Sequence, residues 1–191
     1  MLLFLDNDVQ ALNMQPGTSI PVFTKHAVLK FKKSEILYDI KNMAYVEGDI
    51  MPAEGQHDRH QVIDIAEDGN IDRIIRTLNV GLAECIEMLY PYSKTYIDDN
   101  QELTDDLTSP EEYGIELSLP DDCSKSTLDL LEKYVHEYFV DKILADWMSI
   151  TNLRNKDSAV NWQTKLDDMK FKIQTMMNTR IKRVRRKLSP L

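Results

Sequence analysis

Cysteine is nearly missing from this 191-residue chain: Cys85 and Cys123 are too few for a disulfide framework or a four-thiolate zinc site. Glycine is scarce too, at six residues, which leaves little material for a loop that cradles phosphate on backbone amides. No GxSxG, GxxxxGK[ST], GxGxxG or HExxH pattern occurs, so the common signatures of hydrolase, nucleotide-binding and metalloprotease chemistry are absent. Long apolar runs are lacking as well. Met1–Leu5 is the longest and stops at Asp6, far short of the ~20 residues that span a bilayer. It has neither the basic start nor the small-residue cleavage site of a secretory signal. These absences lead us to expect a protein without catalysis, cofactor or membrane contact, either soluble inside the cell or part of a particle assembled there.

What the chain does contain is apolar material and acid. Hydrophobic residues make up 42% of it, enough for a packed core, and its length fits one domain with arms. Its 32 acidic residues outnumber the 23 basic ones, for a net charge of −9. The predicted fold class is mainly α with a minor β component: a helical bundle with a β-hairpin, an N-terminal arm and a long C-terminal helix. Residues 1–33 read as the arm, because Pro16, Gly17 and Pro21 break any helix there. Within it Phe23, Ala27, Leu29 and Phe31 fall at even spacing and predict a strand at 22–31.

Residues 34–150 read as the core. Ser34 is placed to cap a helix through Val46, with Ile36, Leu37, Ile40, Met43 and Ala44 inward and Gly48 at its end. A short helix at 58–67 follows, then a longer one from Asn70 to Tyr90 with a stripe of Ile71, Ile74, Ile75, Leu78, Leu82, Ile86 and Leu89, closed by Pro91. Between 92 and 119, Tyr92, Lys94 and Tyr96 and then Ile115, Leu117 and Leu119 suggest two short strands flanking a mobile loop. From Asp98 to Asp122 there are ten acidic residues and no basic one, a block that repels itself and other acids. Leu128, Leu131, Tyr134, Val135, Tyr138, Phe139, Lys142 and Trp147 mark a helix to about Ile150. Residues 151–191 hold a second long helix from about Asp157 to Lys187, with Val160, Leu166, Met169, Ile173, Met176, Met177, Ile181, Val184 and Leu188 on one stripe.

The chemically suggestive residues are few. His57, His60 and Asp64 fall on one side of the 58–67 helix, but nothing nearby supplies a fourth metal ligand. Asp68, Asn70 and Asp72 imitate the start of a calcium loop, yet Arg73 occupies the place of its glycine. Cys85 sits beside Glu84, which raises a thiol pKa instead of lowering it, so we read it as a packing residue. The aromatic residues Tyr134, Tyr138, Phe139, Trp147 and Trp162 are spaced for helix packing.

The most informative stretch is basic. Arg180, Lys182, Arg183, Arg185, Arg186 and Lys187 place six positive charges in eight residues with no acid among them. They form either a solvated helix end or an electrostatic latch that grips nucleic-acid phosphate or an acidic protein surface. The acidity of the remaining chain argues against a general nucleic-acid coat.

The segment Ile115-Glu-Leu-Ser-Leu-Pro-Asp-Asp-Cys-Ser-Lys-Ser-Thr-Leu, running into the helix through Tyr134 and Trp147, resembles the strand, proline and long helix of tailed-bacteriophage head–tail connector (adaptor or neck-ring) proteins. Ser34–Val46 and Ile71–Tyr90 are similar to the helices that precede it, so the resemblance spans residues 34–150 in segment order. It implies a virion protein, assembled in the host cytoplasm, with no catalytic, cofactor or metal residues. It further implies a homo-oligomeric ring of about twelve subunits beneath the portal protein, joined to tail or further ring proteins and threaded by genomic DNA. A cellular helical interaction module and a nucleic-acid-binding regulator acting through the basic stretch are the alternatives.

Overall fold

In a computed structural model, residues 23–51, 56–95, 104–151 and 156–178 are described. Strand β1 (Phe23–Lys32) leads directly into helix α1 (Lys33–Ile50). Helix α2 (Gln56–Ile63) follows, with a single 3-10 turn at Asp64–Ala66, and then α3 (Ile71–Met88). Strand β2 (Glu112–Pro120), α4 (Lys125–Thr151) and α5 (Lys156–Met176) complete the order. The fold is mainly α with a two-stranded antiparallel sheet. None of the described helices is long and apolar enough to cross a membrane.

The sheet corrects the expected hairpin at 92–119. β2 pairs with β1, a strand some eighty residues earlier in the chain, Leu29 opposite Ile115 and Phe31 opposite Tyr113. The alternation of β2 reports which face is buried, not which strand lies beside it. Residues 91–95 form turn and irregular backbone; the Tyr92 carbonyl accepts from the Ser118 amide of β2 at 2.7 Å. Ala27, Leu29 and Phe31 meet Leu117, Ile115 and Tyr113 on the core face, while Lys30 and Glu112 pair at 3.6 Å on the outer one. The arm boundary at 33 moves accordingly. Leu29 and Phe31 are core residues, because a strand that covers the apolar face of β2 removes it from water.

α4 is the axis of the core. Tyr138, Phe139, Val140, Asp141, Ile143, Leu144, Ala145, Trp147 and Met148 are all buried, so the helix is covered over most of its circumference in this stretch. The Phe139 ring meets Phe31 edge-to-face at 5.2 Å. α5 returns antiparallel along α4, as the expected helical hairpin, with Trp162, Leu166, Ile173, Met176 and Met177 inward. Val160, expected on that stripe, is 61% exposed.

Two helix ends differ from the sequence reading. α1 begins at Lys33, whose amide donates to the Glu111 carbonyl at 3.0 Å, so the Ser34 hydroxyl is not its cap. Gly48 does not end α1 but lies buried within it; a Cβ there would stand 2.6 Å from Ile63 Cγ1, so the glycine lets α2 approach. Gly81 plays the same part on α3. Its face meets Phe139 and Lys142 of α4, which shifts the buried stripe to Ile74, Ile75, Leu78, Gly81 and Cys85 and leaves Ile86 exposed.

Candidate interaction surface

Interior polar groups come first, since a reactive site would draw on them. Glu84 of α3 takes the Lys142 ammonium on both carboxylate oxygens at 2.8 Å and also accepts from the Tyr138 hydroxyl of α4. Burial pushes the Glu84 pKa up, but the Lys142 and Tyr138 hydrogen bonds outweigh it and hold the carboxyl below its usual value. Burial, with Glu84 as hydrogen-bond acceptor, raises the Tyr138 pKa. All three partners are satisfied by one another, and the cluster pins α3 to α4. Cys85 is fully buried beside it. Burial first, and Glu84 second, push its thiol pKa up, leaving a neutral packing residue.

Trp162 Nε1 and the Ser158 hydroxyl both donate to Glu47, which ties the start of α5 to α1. Trp147 Nε1 donates to the Val62 carbonyl at 3.2 Å and ties α4 to α2. Arg73 forks onto both oxygens of Asp146 at 2.9 and 3.1 Å, on the wall of a groove of about 610 Å³ between α3, α4 and α5. Its other cations, Arg76 and Lys142, face Asp105 and Glu84, so each positive charge already has an acidic partner.

The histidines fall on α2 as expected, with His57 Nε2 3.2 Å from Gln61 Nε2, and Asp64 in the 3-10 turn. Among the described residues no group of three metal-ligating side chains forms. The described part of the acidic block is tied down: Lys33 reaches Glu111 at 2.8 Å, Asn79 donates to the Thr108 carbonyl and Arg76 meets Asp105. Arg180, Lys182, Arg183, Arg185, Arg186 and Lys187 lie outside the described residues, as does the expected helix beyond 178.

The feature that the periodicity did not single out is the outer face of α1. Ile36, Ile40, Ala44 and Gly48 recur every four residues and are buried, while the opposite side carries Tyr38, Met43, Tyr45, Val46 and Ile50, all exposed. Met43, expected inward, is 40% exposed. Tyr38 and Tyr45, with Lys41 and Asn42, line a groove of about 440 Å³ against Ile63, Ala66 and Glu67. Its charged lining is Lys41 and Glu67, and between Lys33 and Asn70 the sequence has nine acidic residues and three basic ones. The signal was present in the sequence as two tyrosines seven apart and off the core stripe, a spacing that places them on one helix face. Exposed apolar groups of this kind are solvated poorly by water. No family model, curated protein or solved structure matches the chain.

Proposed function

We propose that this chain is a non-enzymatic structural subunit of the head–tail connector class. It assembles into a ring of about twelve copies that joins the portal to tail components around the DNA channel of a virion. The observation that carries the reading is the exposed apolar face of α1, where Tyr38, Tyr45, Val46 and Ile50 stand outward on a helix whose other side is fully packed. A subunit that meets neighbours on that face removes it from water. The segment order that resembles connectors supports the class, and a net charge of −9 suits a channel wall past which a polyanion must slide. The basic stretch from Arg180 to Lys187 supplies the opposite charge for an acidic neighbour or portal surface.

Native mass measurement of the full chain, alone and mixed with a portal ring, tests the proposal. A closed oligomer in either sample is expected. Monomer in both would favour a cellular interaction module that uses the same α1 face for a different protein.

A further inference from the structure

Aromatic residues aside, three polar side chains are buried among the described residues: Ser93, Ser158 and Asp141. The two serines are satisfied, Ser93 donating to the Ile86 carbonyl and Ser158 to Glu47. The Asp141 carboxyl is not. It is 4% exposed in the middle of α4, and no hydrogen bond or ion pair from the described residues reaches it at contact distance. A carboxylate in that position costs free energy unless a donor or cation comes to it.

Charges stand around Asp141 without touching it. Glu137, one turn earlier on α4, and Asp168 on α5 disfavour its ionisation, while Lys165 and Lys172 on α5 favour it. Burial first, and Glu137 second, push the pKa up to about 6. Both lysines are occupied elsewhere, but not equally. Lys172 holds Asp168 at 2.6 Å and lies 5.9 Å from the Tyr134 ring. Lys165 has no described carboxylate in contact; its ammonium lies over the Trp162 ring, 3.6 Å from the centroid. Trp162 in turn helps to fix the start of α5, its Nε1 donating to Glu47 of α1 at 3.2 Å.

We infer that Asp141 and Lys165 form a pH-operated latch on the α4–α5 hairpin: with Asp141 neutral the ammonium lies on Trp162, and with Asp141 ionised it turns inward to the carboxylate and uncovers the indole that ties α5 to α1. A cation on an aromatic face at the surface is held weakly, whereas a charge-assisted hydrogen bond to a poorly solvated carboxylate is strong. The charge of Asp141 therefore decides where the lysine goes. Lys165 suits the task because its ammonium is compact and its four-carbon stem flexible. Lys172 does not, since a carboxylate already holds it. The latch rests on Trp162 at acid pH and leaves it as pH rises through about 6.

Nuclear magnetic resonance of the full chain tests this, with aspartate carboxyl and tryptophan indole signals followed from about pH 4 to about pH 8. In the wild type the Asp141 carboxyl and the Trp162 indole should shift together, with one midpoint near 6. Asp141→Asn should abolish the Trp162 shift and leave the indole at its low-pH position. Lys165→Met should abolish the Trp162 shift as well, while Asp141 still titrates, now at a higher midpoint because a favourable charge is gone. Lys165 is exposed, so this second variant keeps the test decisive should Asp141→Asn alter the fold, and circular dichroism checks both. An Asp141 midpoint in the ordinary carboxylate range would remove the switch. An indole that stays still while Asp141 titrates would show that the lysine does not move. A Trp162 shift that survives in Asp141→Asn would assign it to another group, such as a histidine, and one that survives in Lys165→Met would remove the lysine from the device. Any of these results overturns the latch.

Discussion

α4 and α1 are both apolar helices that touch most of the other elements, yet they dispose of their apolar residues in opposite ways. α4 buries nine of the eleven residues from Tyr138 to Met148, including consecutive ones, and leaves only Lys142 and Asp146 partly open in that stretch. α1 buries one residue in four and leaves Tyr38, Tyr45, Val46 and Ile50 in water. A helix buried to that extent is defined by the fold alone. A helix with an apolar outer face still has unfavourable hydration to lose, which a partner can remove. The difference teaches where stability and association reside: substitutions around α4 should act on folding, and substitutions outward on α1 should act on assembly with the fold unchanged.

The largest expected effect removes the lid from the α4 side. A chain beginning at Ser34 lacks β1, and with it Leu29 and Phe31, so the apolar face of Tyr113, Ile115 and Leu117 opens to water. An unpaired β2 also leaves its ladder donors and acceptors without partners. Loss of cooperative thermal unfolding, followed by circular dichroism, is expected. Retention of a wild-type melting transition would mean that residues up to 33 are an appendage after all.

The next effect is a single side chain. Phe139→Ala removes a fully buried ring that packs on Phe31 and on the Gly81 face of α3, and should cost about 3–5 kcal/mol in urea unfolding. Tyr45→Ser, by contrast, should shift stability by less than about 0.5 kcal/mol. Equal losses for the two would erase the distinction between the helices.

How much of this was legible in the sequence depends on the kind of information asked for. Ala27, Leu29 and Phe31 at even spacing located β1 within a residue, and Ile115, Leu117 and Leu119 located β2. Their pairing was hidden, because alternation marks a buried face and the two strands lie some eighty residues apart in the chain. The buried stripe of α3 drifted toward Gly81 and Cys85 for a related reason: close approach of α4 selects the residue without a side chain, which hydrophobic periodicity cannot weigh. The α1 surface was missed because a helical stripe is recognised by its core side; exposed tyrosines stand out only once that side is known to be filled.

A third experiment sharpens the comparison within α4. Asp141 is buried, with Glu137 on its own helix and Asp168, Lys165 and Lys172 facing it from α5. Burial, then Glu137, raises its pKa to about 6 from an ordinary 3.8, with the two lysines opposing. A carboxyl whose folded pKa is raised favours folding while protonated; its contribution is full below pH ~3.8 and is lost as pH rises through about 6. Asp141→Asn holds the neutral form at every pH. It should therefore gain about 1–3 kcal/mol near pH 7.5 and nothing near pH 4. A gain independent of pH would assign the effect to packing and not to the charge.

The smallest effect separates a tyrosine of the interior from those of the surface. Tyr113 is 2% exposed, faces Phe31 across the sheet, and its hydroxyl has no hydrogen-bond partner among the described residues. Burial, then Glu111, pushes its pKa up, so the group stays neutral and its cost is that of an unmade hydrogen bond. Tyr113→Phe removes the hydroxyl and keeps the ring, so stability should rise by up to about 1 kcal/mol, with no change in oligomer mass. At Tyr45 the phenol is in water and lines the groove, so Tyr45→Phe should leave stability unchanged and keep the aromatic wall. Destabilisation by more than about 1 kcal/mol at Tyr113 would show that its hydroxyl has a partner in solution. In that case the core face of the sheet is wetter than its packing implies, and the contrast with the α1 surface is one of degree.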